Sequence, residues 1–343
     1  MKFEVGGGVG EHGRNCFYVS DGINYIVDCG IMRKAKQPFP RLSSDQINMA
    51  KYLFLTHPHE DHIGAFDWLI KNGFHGMVVG MPETISEITN YPHKFLLQRD
   101  KKEYIFDDIA FCYGRSGHCV GSVWYKIKTD SEVFFSGDYS EHSSFCVDRI
   151  CGLSSDLAII DCAYGYQAYN ASAQLQKIIS YIIQHSESKV LLPVPKNGRA
   201  VDILSALQSY GLKIGIDKKL KDFIKDYGND NFWLKENACK TLIRQQHISF
   251  NDTNSSASVL FIADAQLAQE NSKNLVYEIL NQGGKVLITG HTDCGEESDN
   301  LLQSGLADKI PFNAHCCKSD VEGICARNSF KNVICYHTEA IPL

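Results

Sequence analysis

The chain of 343 residues has no run of about 20 apolar residues, which excludes an ordinary membrane-spanning helix. Its first residues, MKFEVGGGVGEHGR, lack the charged, apolar and small-residue regions of a secretory leader, so a cytoplasmic setting is expected. No internal repeat, low-complexity tract or long linker is evident. There is no CxxC pair among thirteen cysteines. That argues against a structural zinc ribbon, and an odd, scattered set does not read as a disulfide framework. Most of these thiols stand in apolar runs (Cys29, Cys112, Cys162, Cys335) and are expected to pack as small hydrophobes. Net charge is −6, which does not advertise a nucleic-acid binder. A local basic stretch does exist, with Lys189, Lys196, Arg199, Lys213, Lys218, Lys219, Lys221 and Lys225 against three aspartates. Such a patch can meet phosphates within an acidic protein, although Lys218 to Lys225 also reads as a solvated helix face.

The pattern of elements divides the chain. The first 165 residues hold short apolar or alternating runs such as NYIVDCG, KYLFLTH, VWYKIKT and LAIIDCA. With helices over residues 44–49 and 64–71, this predicts a mostly antiparallel, strand-rich fold with flanking helices. Beyond it the texture changes. ASAQLQKIISYIIQH, AVDILSAL, KKLKDFIKDYG and KNLVYEILNQGG read as helices between the strands KVLLPVP, KIGID, ASVLFIAD and KVLITG. Alternation of this kind predicts parallel strands with crossover helices. The expected organisation is therefore residues 1–165 as one domain, 166–307 as an insertion, and 308–343 returning to the first.

The chemistry concentrates in THPHEDHIGA. His57 and His59, two apart on extended chain, point the same way and can share one metal ion. Asp61 and His62 follow closely enough to turn toward a second. Imidazole with carboxylate suits zinc, with manganese or iron as alternatives. Four ligand-type side chains at this spacing are poorly explained as core or surface accidents, because buried charge needs pairing. A second motif, Gly8-Val9-Gly10-Glu11-His12-Gly13, fits GxGxxG, but a strand-like NCFYVS follows where dinucleotide binding needs a helix. No nucleotide cofactor is expected.

HPHEDH resembles the HxHxDH motif of the metallo-β-lactamase superfamily, whose fold is an αββα sandwich with a dinuclear metal site. The resemblance implies a third histidine for the first ion, met by His118 in SGHCVGS. It implies a bridging aspartate, met by Asp138 in FFSGDYS, and an aspartate supporting the ligands, met by Asp28 in YIVDCG. LLPVPKNGRAVDILSAL is similar to the strand–loop–helix of the β-CASP nucleases. An acid before the insertion (Asp161), a histidine after it (His315 in NAHCC) and a last strand-end histidine (His337) complete that family's set. Where relatives read close to SAHAD, this chain has Asn313-Ala314-His315-Cys316-Cys317, so Cys317 replaces an acid.

What the resemblance implies is an α/β fold, an αββα metallo-β-lactamase sandwich carrying a parallel α/β β-CASP insertion. The activity implied is metal-dependent ribonuclease. His57, His59 and His118 would hold one ion, Asp61, His62 and His337 the other, with Asp138 between. The cofactor expectation is two Zn2+, with Mn2+ as an alternative. Asp161 would hold His315 or His337, and His315 would contact the scissile phosphate or protonate the leaving oxygen. Lys196, Arg199 and Asn313 would bind the substrate, and Tyr164, Tyr166 and Tyr169 would stack on bases or pack between domains. The expected partner is single-stranded RNA, and the expected assembly a homodimer or a processing-complex subunit. A DNA nuclease of the same fold and a non-catalytic RNA-binding scaffold are the competing readings.

Overall fold

The computed structural model describes residues 1–166, 170–244, 247–250, 255–312 and 314–338. Contacts divide the chain into two units. The first comprises Met1–Glu141, Val147–Ala168 and His315–Leu343, and the second His142–Cys146 and Tyr169–Ala314.

Two six-stranded sheets form the first unit. One runs Lys2–Gly7, Cys16–Asp21, Ile23–Val27, Tyr52–Phe54, Met77–Gly80, Lys94–Leu96 across its width. The other runs Val333–Tyr336, Leu157–Asp161, Glu132–Phe135, Val123–Lys128, Ala110–Arg115, Glu103–Ile105. Alternation along the strands gives each sheet two apolar faces. Inward residues meet across the sandwich, with Phe54 packing edge-on against Phe111 and Tyr125 at ring centroids of 5.0 and 5.4 Å. Outward residues of the first sheet, among them Tyr18, Ile26 and Leu53, pack with Ile47, Phe66 and Leu69 of the helices Ser44–Met49 and Phe66–Lys71. Those of the second sheet, Phe134, Ala158 and Ile160, pack with Val321 and Ile324 of the helix Lys318–Ala326. The layers are thus helix, sheet, sheet, helix.

Two expectations are corrected. The sheets are mixed rather than mostly antiparallel. Each pairs antiparallel through its hairpins and parallel where a longer crossover intervenes, as between Ile23–Val27 and Tyr52–Phe54. The helix expected over 64–71 is two pieces, Glu60–Ile63 and Phe66–Lys71, so the histidine motif itself opens a helical turn.

In the second unit, six strands pair in parallel in the order Ile248–Ser249, Ile214–Ile216, Val259–Ile262, Val190–Pro193, Lys285–Ile288, Asp308–Lys309. Ala171–His185 buries Ile178, Ile179 and Ile182 on one stripe, and Asn170 caps it by accepting from the Ala173 N–H. Lys218–Tyr227 buries Leu220 and Phe223 while Lys218 pairs with Asp222 at 2.5 Å, so its basic side is a solvated face. The segment His142–Cys146 joins this unit through a bridge from Phe145 to Leu234 and a bond from the Cys146 N–H to the Trp233 carbonyl at 2.7 Å.

Asp202 accepts from the Ser144 N–H in this tether and is buried. Burial pushes its carboxyl up to about 6, the bonds from Ser144 and the charge of Lys235 opposing only in part. An acid whose pKa is higher folded than unfolded contributes most favourably below the unfolded value, near 4. That contribution is lost as pH rises through about 6. Stability of the second unit is therefore expected to fall by about 2 kcal/mol between pH 4 and 7 through this group. Asp202→Asn should flatten that slope, as read by urea unfolding or amide exchange at the two pH values.

Candidate metal centre

The candidate ligands lie at the carboxyl ends of strands that run the same way in their sheets. His57 follows Tyr52–Phe54 by three residues, Asp161 ends Leu157–Asp161, and His337 directly follows Val333–Tyr336. Asp138 follows Glu132–Phe135 across a turn in which Gly137 takes φ +53°. His118 sits in a turn closed by the Ser122 hydroxyl, which accepts from the N–H groups of His118 and Cys119 at 3.3 and 3.0 Å. His59 stands at the N-cap of Glu60–Ile63, leaving His57 and His59 on extended chain and Asp61 and His62 in the first helical turn. Asp28 and His337 both adopt left-handed backbone, at φ +58° and +65°. Strain of this kind persists where surroundings fix it, and it collects at working sites.

The side chains converge on Asp138. Its Oδ2 lies 3.4 Å from His57 Nε2 and 3.6 Å from His118 Nε2. Its Oδ1 lies 3.2 Å from His62 Nε2 and 3.3 Å from His337 Nδ1. Ligand atoms of His57, His59, His118 and Asp138 fall within 4.8 Å of one another, and so do those of Asp61, His62, Asp138 and His337. A third such group joins Asp138, Asp161, His315 and His337.

Burial alone raises the Asp138 carboxyl, but the imidazoles of His337, His62, His57 and His315 outweigh it and hold it well below the carboxylate range. Burial and the neighbouring His315 push His118 well down. His62 goes the other way, because Asp138, Asp28 and Asp61 overcome burial. The cluster therefore calls for positive charge beside its carboxylates. His57 Nε2 is buried without a hydrogen bond. An orphaned imidazole nitrogen facing a carboxylate, within a set of imidazole and carboxylate donors, fits a divalent cation.

Supporting contacts fix the ligands. Asp28 accepts from the Thr56 N–H and hydroxyl, both at 2.8 Å, and its Oδ2 lies 2.7 Å from His62 Nδ1. That places the His62 proton on Nδ1 and leaves Nε2 for a metal. Asp161 lies 3.1 Å from His315 Nδ1 and 3.4 Å from His337 Nδ1, so it touches both histidines. It also accepts from the N–H groups of Tyr139 and Cys316.

The first unit thus brings together His57, His59, Asp61, His62, His118, Asp138, Asp161, His315, His337 and Asp28. Lys196 and Arg199 belong to the second unit, in the turn between Val190–Pro193 and Ala200–Leu207. Arg199 packs its guanidinium against Gly290, where a Cβ would sit 1.9 Å from it. Asn313 and Tyr169 lie outside the described residues. The Tyr164 ring stands 5.9 Å from His315, and exposed Tyr166 lies under Lys318 at 4.7 Å. The glycine motif is a loop between the strands Lys2–Gly7 and Cys16–Asp21. Cys317 caps the helix Lys318–Ala326 together with Asp320.

Three participants escaped sequence reasoning. Tyr336 donates its hydroxyl to Asp138 at 2.9 Å. His12 stacks on His337 at 4.8 Å. The Asn15 amide reaches His62 and His337. The adjacency of Tyr336 to His337 was the one available signal. The other two stand more than 300 residues from His337, in the glycine-rich stretch GGVGEHGRN, whose sequence singled out the loop but not these two side chains.

Residues 9–111 match the model of the metallo-beta-lactamase superfamily. The chain is 23% identical over 235 residues to cleavage and polyadenylation specificity factor 73 of Drosophila melanogaster, covering 58% of this chain and 34% of that one. It is 24% identical over 264 residues to transcription termination factor FttA of Lokiarchaeum sp. (64% and 41%). It is 24% identical over 245 residues to ribonuclease J2 of Bacillus subtilis (62% and 44%). The chain spans less than half the length of these relatives. A crystal structure of a protein of unknown function from Enterococcus faecalis V583 superposes with a TM-score of 0.62 at 11% identity, covering 98% of this chain and 93% of that one. That likeness concerns the fold alone. Among the described residues no helix is long and apolar enough to cross a membrane.

Proposed function

We propose, from the match of residues 9–111 to the metallo-beta-lactamase superfamily and from the likeness to a cleavage and polyadenylation factor and a ribonuclease J2, a β-CASP-type ribonuclease that hydrolyses RNA phosphodiesters with two divalent ions. The observation that carries the reading is the convergence of two donor sets on the one carboxylate of Asp138. His57, His59 and His118 would hold one ion, and Asp61, His62 and His337 the other. When bound, the ions supply an acidified water and offset charge on the phosphoryl oxygens. Zinc suits the imidazole-rich set, and manganese is the alternative.

The chain's own residues do the rest. Asp28 fixes the tautomer of His62, and Asp138 holds four imidazole rings in register between the two sets. Asp161 ties down His315 Nδ1, which leaves Nε2 to contact the scissile phosphate or give a proton to the leaving oxygen. Asp61 would also orient the water. In the second unit, Arg199 and Lys196 stand at a strand–helix turn of the kind that receives phosphates, so they are proposed as substrate contacts together with Asn313. RNA is favoured over DNA because the names of two relatives, a cleavage and polyadenylation factor and a ribonuclease, concern RNA. A cytoplasmic setting, and assembly as a homodimer or a processing-complex subunit, belong to the same reading.

The test is cleavage of end-labelled single-stranded RNA and of the matching DNA, with zinc and manganese tried separately. Cutting of RNA, lost in the double variant Asp61→Ala, His62→Ala, is the expected result. Cutting of DNA alone would make it a DNA nuclease of the same fold. RNA bound but uncut under either metal would leave a scaffold and end the catalytic reading.

A further inference from the structure

The Asn15 side chain is fully buried beside the second donor set. Its backbone is clamped there. The Asn15 N–H donates to the Asp61 carbonyl at 2.8 Å, and its own carbonyl accepts from the Gly30 N–H at 3.0 Å. Gly8, at φ +95°, makes the room, since a Cβ on it would lie 2.2 Å from Asn15 Oδ1.

The amide nitrogen has four polar atoms around it. They are His337 Nε2 at 2.6 Å, His62 Nε2 at 2.8 Å, the Asp61 carbonyl at 3.1 Å and Asp61 Oδ2 at 3.3 Å. Two N–H groups cannot serve four such neighbours, and a ring nitrogen that carries a proton cannot accept from them at all. Separations of this size are those between neighbouring ligand atoms of one ion, so the amide's outer atom stands among the donors of the second set. At the other end of the amide, Oδ1 is buried and makes no hydrogen bond. An orphaned carbonyl oxygen in this position costs free energy unless something electropositive meets it.

We propose that Asn15 is a ligand of the second ion, offered through Oδ1. The inference rests on the two-ion reading above. The N–H of the amide can face the His62 Nε2 lone pair only while that lone pair is not given to a metal. A half-turn of the amide removes the donor from the donor set and presents an oxygen in its place. The oxygen is neutral, so it completes coordination without adding to the negative charge of Asp61 and Asp138. The clamp on the Asn15 backbone keeps the side chain within reach.

The test uses the full chain, stripped of metal by a chelator and titrated with Zn2+, with bound metal per chain and chelator competition as readouts. Wild type is expected to take two ions. Asn15→Ala should keep the first at wild-type affinity and bind the second at least about tenfold more weakly, in the range seen when a metal's surroundings lose a partner. Asn15→Asp, almost the same shape, should restore the second ion and hold it more tightly than wild type. With Co2+ as a spectroscopic probe, Asn15→Asp should shift the visible bands of the second ion only, which a purely structural side chain would not do. Asn15→Ala holding both ions as tightly as wild type, or the second more tightly, overturns the proposal alone. A wild type that binds a single ion overturns it together with the two-ion reading. Should Asn15→Ala not fold, Asn15→Asp decides, and loss of its second ion or an unchanged Co2+ spectrum counts against the proposal.

Discussion

Asp138→Ala is expected to lower RNA cleavage by at least about a thousandfold, ~4 kcal/mol of transition-state stabilisation, and to leave the chain with fewer than two ions. The reason lies in its neighbours. Five imidazoles reach its two oxygens between 3.2 and 3.6 Å, those of His57, His62, His118, His315 and His337. Without the carboxylate these rings lose the anion that holds them together, and the two donor sets lose the group they share. Tyr336 also loses the acceptor of its buried hydroxyl, which adds a stability cost on the order of 1–3 kcal/mol. Metal content by mass spectrometry and cleavage of labelled RNA read the two effects separately. An Asp138→Ala protein that keeps both ions and most of its activity would refute the bridging role.

Gly30→Ala is expected to destabilise the first unit by more than about 3 kcal/mol, beyond the ordinary cost of overpacking a core. A Cβ on Gly30 would lie 1.6 Å from the Asp61 carbonyl oxygen and 2.1 Å from its carbon. Both are backbone atoms, so no side chain can swing aside. The chain around Gly30 is laced to the histidine turn. The Cys29 N–H donates to the His62 carbonyl at 2.7 Å, the Ile31 N–H to the Glu60 carbonyl at 3.2 Å, and the Ala65 N–H to the Cys29 carbonyl at 2.9 Å. A methyl group there must push the Asp61–His62 turn off its seat, so metal binding should fail along with stability. Gly10→Ala makes the control. It has open space and only the left-handed backbone to satisfy, at φ +73°, and should cost on the order of 1 kcal/mol. A Gly30→Ala chain with a wild-type unfolding midpoint would show that the close approach is not a constraint.

The parts of this site that are legible in sequence are those whose geometry is local. The spacing of His57, His59, Asp61 and His62 fixes which side chains leave an extended chain together and which leave a helical turn. The boundary of that helix was missed because His59 caps it with no side-chain hydrogen bond, so no Ser, Thr, Asp or Asn marks its start. The mixed pairing of the sheets was missed because alternation along a strand reports its buried face and not the direction of its neighbour. His118, Asp138, Asp161, His315 and His337 could be named only by matching motifs to a family, since nothing near each one in sequence points to the others.

The sequence by itself determined the donor chemistry, the strand-rich first part and the alternating second part, since side-chain type and periodicity are local properties of the chain. Only the tertiary structure decided which donors meet. Asp28 stands against His62 across 34 residues, Asn15 against His337 across 322, and Asp161 against His315 across 154. The same holds for Gly30, whose missing side chain matters solely because another stretch of backbone lies 1.6 Å from where a Cβ would be. Such contacts depend on strand order and close packing, which bring distant segments together with a precision that no local pattern encodes.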